Sequence, residues 1–141
     1  VVAFGLDATH QVRATEDRIV AIEAIDSEAA RAAASTLRFS QRGEREIVGW
    51  HAAPLHDPCP IAWLIRPDLF ETKPCRIEVE TGSDLTRGHT AVEFRIDPAT
   101  ARHRWAVAAD AQGVFDLIVA KLKAQALEAQ ALEAEALEAG A

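Results

Sequence analysis

Asp57-Pro58, in the run Pro54-Leu55-His56-Asp57-Pro58-Cys59, fixes a helix start near the middle of this chain. Proline at the first helical position gives up an N–H that has no helical partner there, and its fixed φ is already helical. Asp57 stands before it as a candidate N-cap. The apolar stretch Ile61-Ala62-Trp63-Leu64-Ile65 follows, and Pro67 stops the helix. A helix over about Pro58–Ile65 is therefore predicted, with His56 and Asp57 at its mouth. Both side chains have a chemical use. Asp57 is a hard oxygen ligand of the kind calcium or magnesium takes, and an imidazole such as His56 can move a proton near neutral pH. Helix cap and chemical site are both open readings of the same residues.

The surrounding chain reads as α/β material. Val1 to Leu6 is a short buried strand that ends at Asp7, where loop chemistry begins. Thr15-Glu16-Asp17 opens a helix through Ile19, Ile22 and Ile25, with acids in its first turn. Ser27-Glu28 caps a second, alanine-rich helix to about Phe39, and the charged, glycine-broken stretch Ser40 to Glu46 reads as a solvent loop. Beyond the central helix the period changes to two. Arg76–Glu80, Thr90–Ile96 and Arg104–Val107 are expected strands, with Gly82-Ser83-Asp84 a turn. Asp110 then caps a helix whose Val114, Phe115, Ile118, Val119 and Leu122 share one face.

The last stretch differs from all this. Residues 124–141 repeat Ala-Leu-Glu-Ala in five-residue steps, so Leu127, Leu132 and Leu137 turn about 140° around a helix at each step and form no continuous stripe. A solvated helical extension or a frayed, disordered end is expected there, and residues 1–123 are expected to form the folded part. Of the formal charge of −7, four negative charges lie in 124–141, leaving −3 for the rest. That balance argues against a nucleic-acid partner, which calls for a basic stripe.

No window approaches the ~18 apolar residues that span a bilayer, so no membrane partner is expected. Val1-Val2-Ala3-Phe4-Gly5-Leu6 lacks the basic segment of a signal peptide. The sequence has no Met, and its start reads as a cut inside a longer chain. Cys59 and Cys75 have no metal-ligand spacing, which points to reduced thiols in a cytoplasmic setting. His51, His89 and His103 lack a spaced partner for a metal site. Gly88, in Arg87-Gly88-His89, is expected to serve a turn. Trp63 reads as helix-face core. His10 sits at a strand end beside Thr9, where it either lines a cleft or makes a local hydrogen bond.

Three ordered segments carry a family resemblance. Residues 53–70, from Ala53-Pro54-Leu55-His56-Asp57-Pro58 to Pro67-Asp68-Leu69-Phe70, closely resemble the C-terminal signature of the inosine-uridine-preferring nucleoside hydrolases. Glu78-Val79-Glu80-Thr81 with Leu85-Thr86-Arg87-Gly88-His89-Thr90-Ala91-Val92 resembles the family's "VET…LTRGxTVV" strand pair. Gly5-Leu6-Asp7-Ala8-Thr9-His10-Gln11 is similar to its "GLDVTHQ" strand end. The likeness spans roughly residues 1 to 122 and covers only the C-terminal part of the family. It implies the C-terminal part of the nucleoside hydrolase fold, a mixed sheet with flanking helices.

In function, the resemblance implies hydrolysis of the N-glycosidic bond of a ribonucleoside, with calcium as cofactor. His56 matches the family's proton donor to the leaving base, Asp57 matches a calcium ligand, and His10 is a candidate substrate contact. A histidine at position 56, where the purine-specific branch usually carries tryptophan, points to the inosine-uridine or pyrimidine branch. The family's D-x-D-x-x-x-D-D cluster and its Glu-Phe-Asn-type segment have no counterpart here, and the chain has no Tyr. One carboxylate falls short of the roughly six to eight oxygens that calcium takes. The expectations are an isolated chain that is inactive, and a homo-oligomer or a pairing with the missing N-terminal half. The alternative is a non-catalytic scaffold or interaction module of the same fold.

Overall fold

In the computed structural model, which describes residues 1–139, the chain divides into two units. Gly140 and Ala141, the end of the expected tail, lie outside the described residues. The first unit comprises Val1–Gln11 and His56–Asp110, and the second Val12–Leu55 and Ala111–Ala141.

A four-stranded mixed sheet organises the first unit. Its strands are β1 (Val2–Phe4), β4 (Phe70–Val79), β5 (Thr90–Glu93) and β6 (His103–Ala109), in the order β1-β6-β4-β5. β1 lies parallel to β6, with Ala3 opposite Trp105. β4 runs antiparallel to both β6 and β5, with a bulge at Glu71/Thr72. The strand read over Arg76–Glu80 extends back to Phe70, and its first part buries Phe70 and Cys75, whose odd spacing the bulge at Glu71/Thr72 accommodates. Phe4 meets Phe70 edge to face at 5.4 Å, which ties β1 to the start of β4. β5 stops at Glu93, short of the expected Ile96.

Two short helices complete this unit. The helix predicted over Pro58–Ile65 is α4, with those bounds, and Pro67–Leu69 continues it as a 3-10 turn. The loop expected from Asp7 is instead one helical turn, α1 (Leu6–Thr9). The Gly5 carbonyl accepts from the N–H groups of Ala8 and Thr9, closing that turn locally.

The second unit is helical. Its α2 (Glu16–Glu23) starts after Thr15 as expected, though the Thr15 side chain makes no cap bond. Ile19 and Ile22 are fully buried, and Ile25 packs beyond the helix end. α3 runs from Glu28 to Val48, capped by the Ser27 hydroxyl, which accepts from Ala30 N–H at 3.1 Å. Ser40–Glu46, expected as loop, is therefore helix. Gly43 sits in its interior, and the helix ends one residue before Gly49, whose φ of 74° is the left-handed conformation of a helix stop. The reason is periodic: Ala30, Ala34 and Gln41 fall on one buried face, and the Gln41 amide donates to the His51 carbonyl at 2.9 Å. Anchoring at Gln41 outweighs the cost of one internal glycine.

A short ribbon of β2 (Arg13–Ala14) and β3 (Ala53–Pro54) lies in the same unit, with the Arg13 guanidinium 4.2 Å from the centre of the Trp50 ring. The last helix, α5, spans Ala111–Ala139 without a break. It buries Val114 and Phe115 and half-buries Ile118, Val119 and Leu122, as its spacing predicts. Leu127, Leu132 and Leu137 are exposed, the outcome expected of leucines spaced five apart.

Candidate active site

The start of α4 decides where the chemistry stands. Asp57 precedes Pro58 with helical backbone angles (φ −64°, ψ −33°), and its side chain makes no cap bond to the helix. A capping residue needs an extended backbone to aim its oxygen at the helix N–H groups. Asp57 lacks that geometry, so its exposed carboxylate is not consumed in starting the helix. The first turn is closed by backbone instead, with Cys59 N–H donating to the His56 carbonyl at 3.2 Å. Of the two sequence readings of Asp57, the helix cap is the one that the side-chain geometry removes.

Cys59 points inward from the same turn and is fully buried. A helix N-terminus ordinarily lowers a thiol's pKa. Here burial pushes it up to about 11, so the thiol is a packing group and not a nucleophile. Trp63 is half-buried on α4.

His56 is held from the other side of the unit. The Thr9 hydroxyl, on α1, lies 2.8 Å from His56 Nδ1, bridging 47 positions of sequence. His10, the next residue, brings its ring centre to 5.3 Å from that of His56, tilted by 54°. Two of the three sequence candidates thus meet, the imidazoles of His10 and His56, and Asp57 follows His56 in the chain. All three belong to the sheet-containing unit.

The segment Gly5-Leu6-Asp7-Ala8-Thr9-His10-Gln11 makes physical sense as a holder. Gly5 lets Trp105 of β6 approach, since a Cβ there would come to 2.8 Å from Trp105 Cε2. Thr9 is buried, and its hydroxyl also lies 3.3 Å from the Gly5 carbonyl. Gln11 clamps the turn to β6: its amide donates to the carbonyls of Asp7 (2.7 Å) and Val107 (3.2 Å), and its oxygen accepts from Ala109 N–H (3.1 Å). Sequence reasoning singled out His10 and passed over Gly5, Thr9 and Gln11. The available signal was the spacing of four between Gly5 and Thr9, one helical turn, in a stretch read as loop.

Among the described residues, no group of three or more His, Cys, Asp or Glu side chains is placed to hold a metal ion. Asp57 suits a hard cation as one oxygen donor, but these residues alone do not make a calcium site. Gly88 has the turn conformation expected of it (φ 87°), with its N–H donating to the Glu80 carbonyl. His103 Nδ1 accepts from Ile77 N–H between β6 and β4, a structural use of that ring. No helix among the described residues is long and apolar enough to cross a membrane.

The mixed sheet with its short flanking helices defines a class of fold, and the comparisons agree on that fold. The sequence profile described as inosine-uridine preferring nucleoside hydrolase matches residues 1–116. The chain belongs to this family. It is 40% identical over 121 residues to the pyrimidine-specific ribonucleoside hydrolase RihA of Shewanella baltica, covering 84% of this chain and 38% of that protein. To RihA of an Enterobacter species it is 36% identical over 124 residues, covering 86% and 40%. In structure it is similar to a purine-preferring ribonucleoside hydrolase from Gardnerella vaginalis (TM-score 0.75, 23% identity, 89% of this chain and 40% of that one). A plant nucleoside hydrolase, PpNRh1, gives a TM-score of 0.72 at 22% identity, over 87% and 41%. These two likenesses establish the fold. The chain spans about two fifths of the length of these relatives.

Proposed function

We propose that this chain contributes the proton-donor side of a ribonucleoside N-ribohydrolase centre, with His56 as the acid and Asp57 as one oxygen ligand of a calcium ion. The observation that carries this reading is the pairing at the helix mouth. His56 is buttressed at Nδ1 by Thr9, and the neighbouring Asp57 carboxylate is not spent on capping. Cleavage of an N-glycosidic bond leaves an oxocarbenium-like sugar and a departing base. A proton delivered to that base as the C1′–N bond breaks stabilises the leaving group. His10, whose ring centre lies 5.3 Å from that of His56, is the candidate contact to the nucleoside, and that proximity supports it.

The relatives named for pyrimidine-specific hydrolysis, and a histidine at position 56, favour a pyrimidine nucleoside or inosine as substrate. Among the described residues no group of three or more His, Cys, Asp or Glu side chains is placed to hold a metal ion, and Asp57 alone falls short of a calcium shell. On this reading the 141-residue chain by itself is inactive and the activity requires the complementary N-terminal half of the fold; the chain either pairs with that half or associates as a homo-oligomer. Two buried cysteines outside any disulfide, Cys59 and Cys75, suit a reducing, cytoplasmic setting.

Ribose release from uridine, cytidine and inosine tests the reading, measured with calcium or with chelator, on the chain alone and mixed with an N-terminal half from a RihA relative. Calcium-dependent release from the mixture alone, lost in Asp57→Ala, is the expected result. No release from either sample, together with no calcium-linked rise in thermal midpoint, would favour a non-catalytic module of the same fold.

A further inference from the structure

The Thr9 hydroxyl has one proton and two neighbours, the Gly5 carbonyl at 3.3 Å and His56 Nδ1 at 2.8 Å. A carbonyl can only accept, whereas an imidazole nitrogen is donor or acceptor by tautomer. If Thr9 donated to Nδ1, its oxygen and that of Gly5 would face each other with no proton between them, on a side chain only 3% exposed. If Thr9 donates to Gly5, its lone pairs are free to accept from Nδ1–H, and every polar group of the chain Nδ1–H, Oγ1–H, O=C is matched. We infer that Thr9 is a positioning residue that holds His56 as the Nδ1–H tautomer and makes Nε2 the nitrogen through which a proton is passed.

The device is rigid for identifiable reasons. Thr9 sits on a single turn that Gln11 fastens to β6 through two hydrogen bonds, to Val107 and Ala109, and braces through a third to the Asp7 carbonyl, and that Gly5 lets sit close against Trp105. The chain of donors ends on a backbone carbonyl, which takes up no proton, so the proton on Nδ1 stays where it is. The same ring orientation serves the imidazolium and the neutral ring, because Nδ1 is a donor in both.

The consequence for catalysis rests on the reading of His56 as the acid. As the C1′–N bond breaks, its electron pair goes to the departing base, and the Nε2 proton passes to a base nitrogen. His56 is left neutral, with Nδ1–H already bonded and no ring flip required. The tautomer assignment itself does not rest on that reading, since it is made on the protein without substrate.

Long-range nitrogen–proton correlation spectra of the nitrogen-15-labelled chain report the tautomer, with His56 assigned by its loss in His56→Gln. The neutral ring of the wild type is expected to be mainly Nδ1–H, and Thr9→Ser, which keeps the hydroxyl, to match it. In Thr9→Val, similar in shape but with no acceptor, the ratio of Nδ1–H to Nε2–H should fall about five- to tenfold, the scale of one net hydrogen bond. A wild-type ring that is mainly Nε2–H, or one whose ratio equals that of the chain in denaturant, overturns the proposal. So does a Thr9→Val ratio equal to the wild type's. Should the valine variant not fold, the wild-type and serine spectra decide alone. These spectra need no turnover, so a chain that never hydrolyses a nucleoside can still show the Nδ1–H ring, and an active one can still fail to show it.

Discussion

Gly5 and Trp105 are in a contact that admits no side chain at position 5. A Cβ there would come to 2.8 Å from Trp105 Cε2 and closer still to its neighbour Cζ2. The backbone angles of Gly5 (φ −83°, ψ 172°) are open to any residue, so the requirement is for space and not for conformational freedom. Since Gly5 is the residue from which α1 springs, this contact sets where Thr9 and His10 stand.

Gly5→Ala should therefore destabilise the chain by about 1–3 kcal/mol, the usual cost of overpacking. Urea unfolding measures it, and the cost should shrink in a Trp105→Leu background, where the ring is gone. Equal costs in the two backgrounds would mean that the contact is not the cause.

At the candidate site, the His56→Ala substitution in the reconstituted hydrolase should lower turnover by about 10²–10⁴-fold, the range of a positioned general acid. Substrates whose base leaves easily without protonation, such as p-nitrophenyl riboside, should lose much less. An equal loss on both substrates would assign His56 to binding or folding.

Ser27 closes the start of α3 with one hydroxyl, accepting from Ala30 N–H. Ser27→Ala should cost about 0.5–2 kcal/mol and Ser27→Gly only a few tenths. The order of the two denaturation midpoints checks this, because helix propensity alone would rank them the other way.

Arg38 of α3 reaches two carboxylates of α2, Glu16 at 2.5 Å and Glu23 at 2.9 Å. Its hydrogen bonds hold both carboxyls below their ordinary value of 4.5. A carboxylate whose folded pKa is lowered adds stability that is complete above the unfolded value and is lost as pH falls through the folded one. The wild type should thus lose stability between about pH 5 and pH 3 more steeply than Arg38→Met, which keeps the stem and lacks the charge. Parallel stability-versus-pH curves at low salt would refute it.

The far end of α5 should be expendable. Ala126 is its last buried residue, and Leu127, Leu132 and Leu137 are exposed. Ending the chain at Gln130 should change stability by less than about 0.5 kcal/mol while lowering the far-ultraviolet helical signal. A larger loss would show that Leu132 or Leu137 is covered in solution.

Much of the fold was legible because short-range chemistry dictates it. Pro58 and Pro67 bracket α4 at the bounds expected, Ser27 caps α3, and the period-two pattern from Arg76 lies within β4. Where the reading failed, long-range contacts overrode local signals. Ser40–Glu46 looks like a loop in charge and glycine content, yet Gln41 buried against the His51 carbonyl carries the helix through it. Asp7 looks like a loop start, yet Gln11 bonded to β6 supports a helical turn there. His56, Asp57 and His10 stood out as candidates in the sequence because those residue types carry their chemistry with them. Thr9 and Gln11 went unnoticed, since a threonine or glutamine gains its role only from what it touches.

By itself, then, the sequence determined the class of fold, the family and the helix that presents His56 and Asp57, through proline geometry, hydrophobic period and three ordered motifs. Only the tertiary structure decided that Asp57 is not a cap, that His10 and His56 meet, and that Thr9 grips Nδ1 from 47 positions away. The reason is physical: a helix start or a strand period is set by neighbours within a few residues. The orientation of a ring is set by whichever hydrogen-bonding group the packed sheet brings against it.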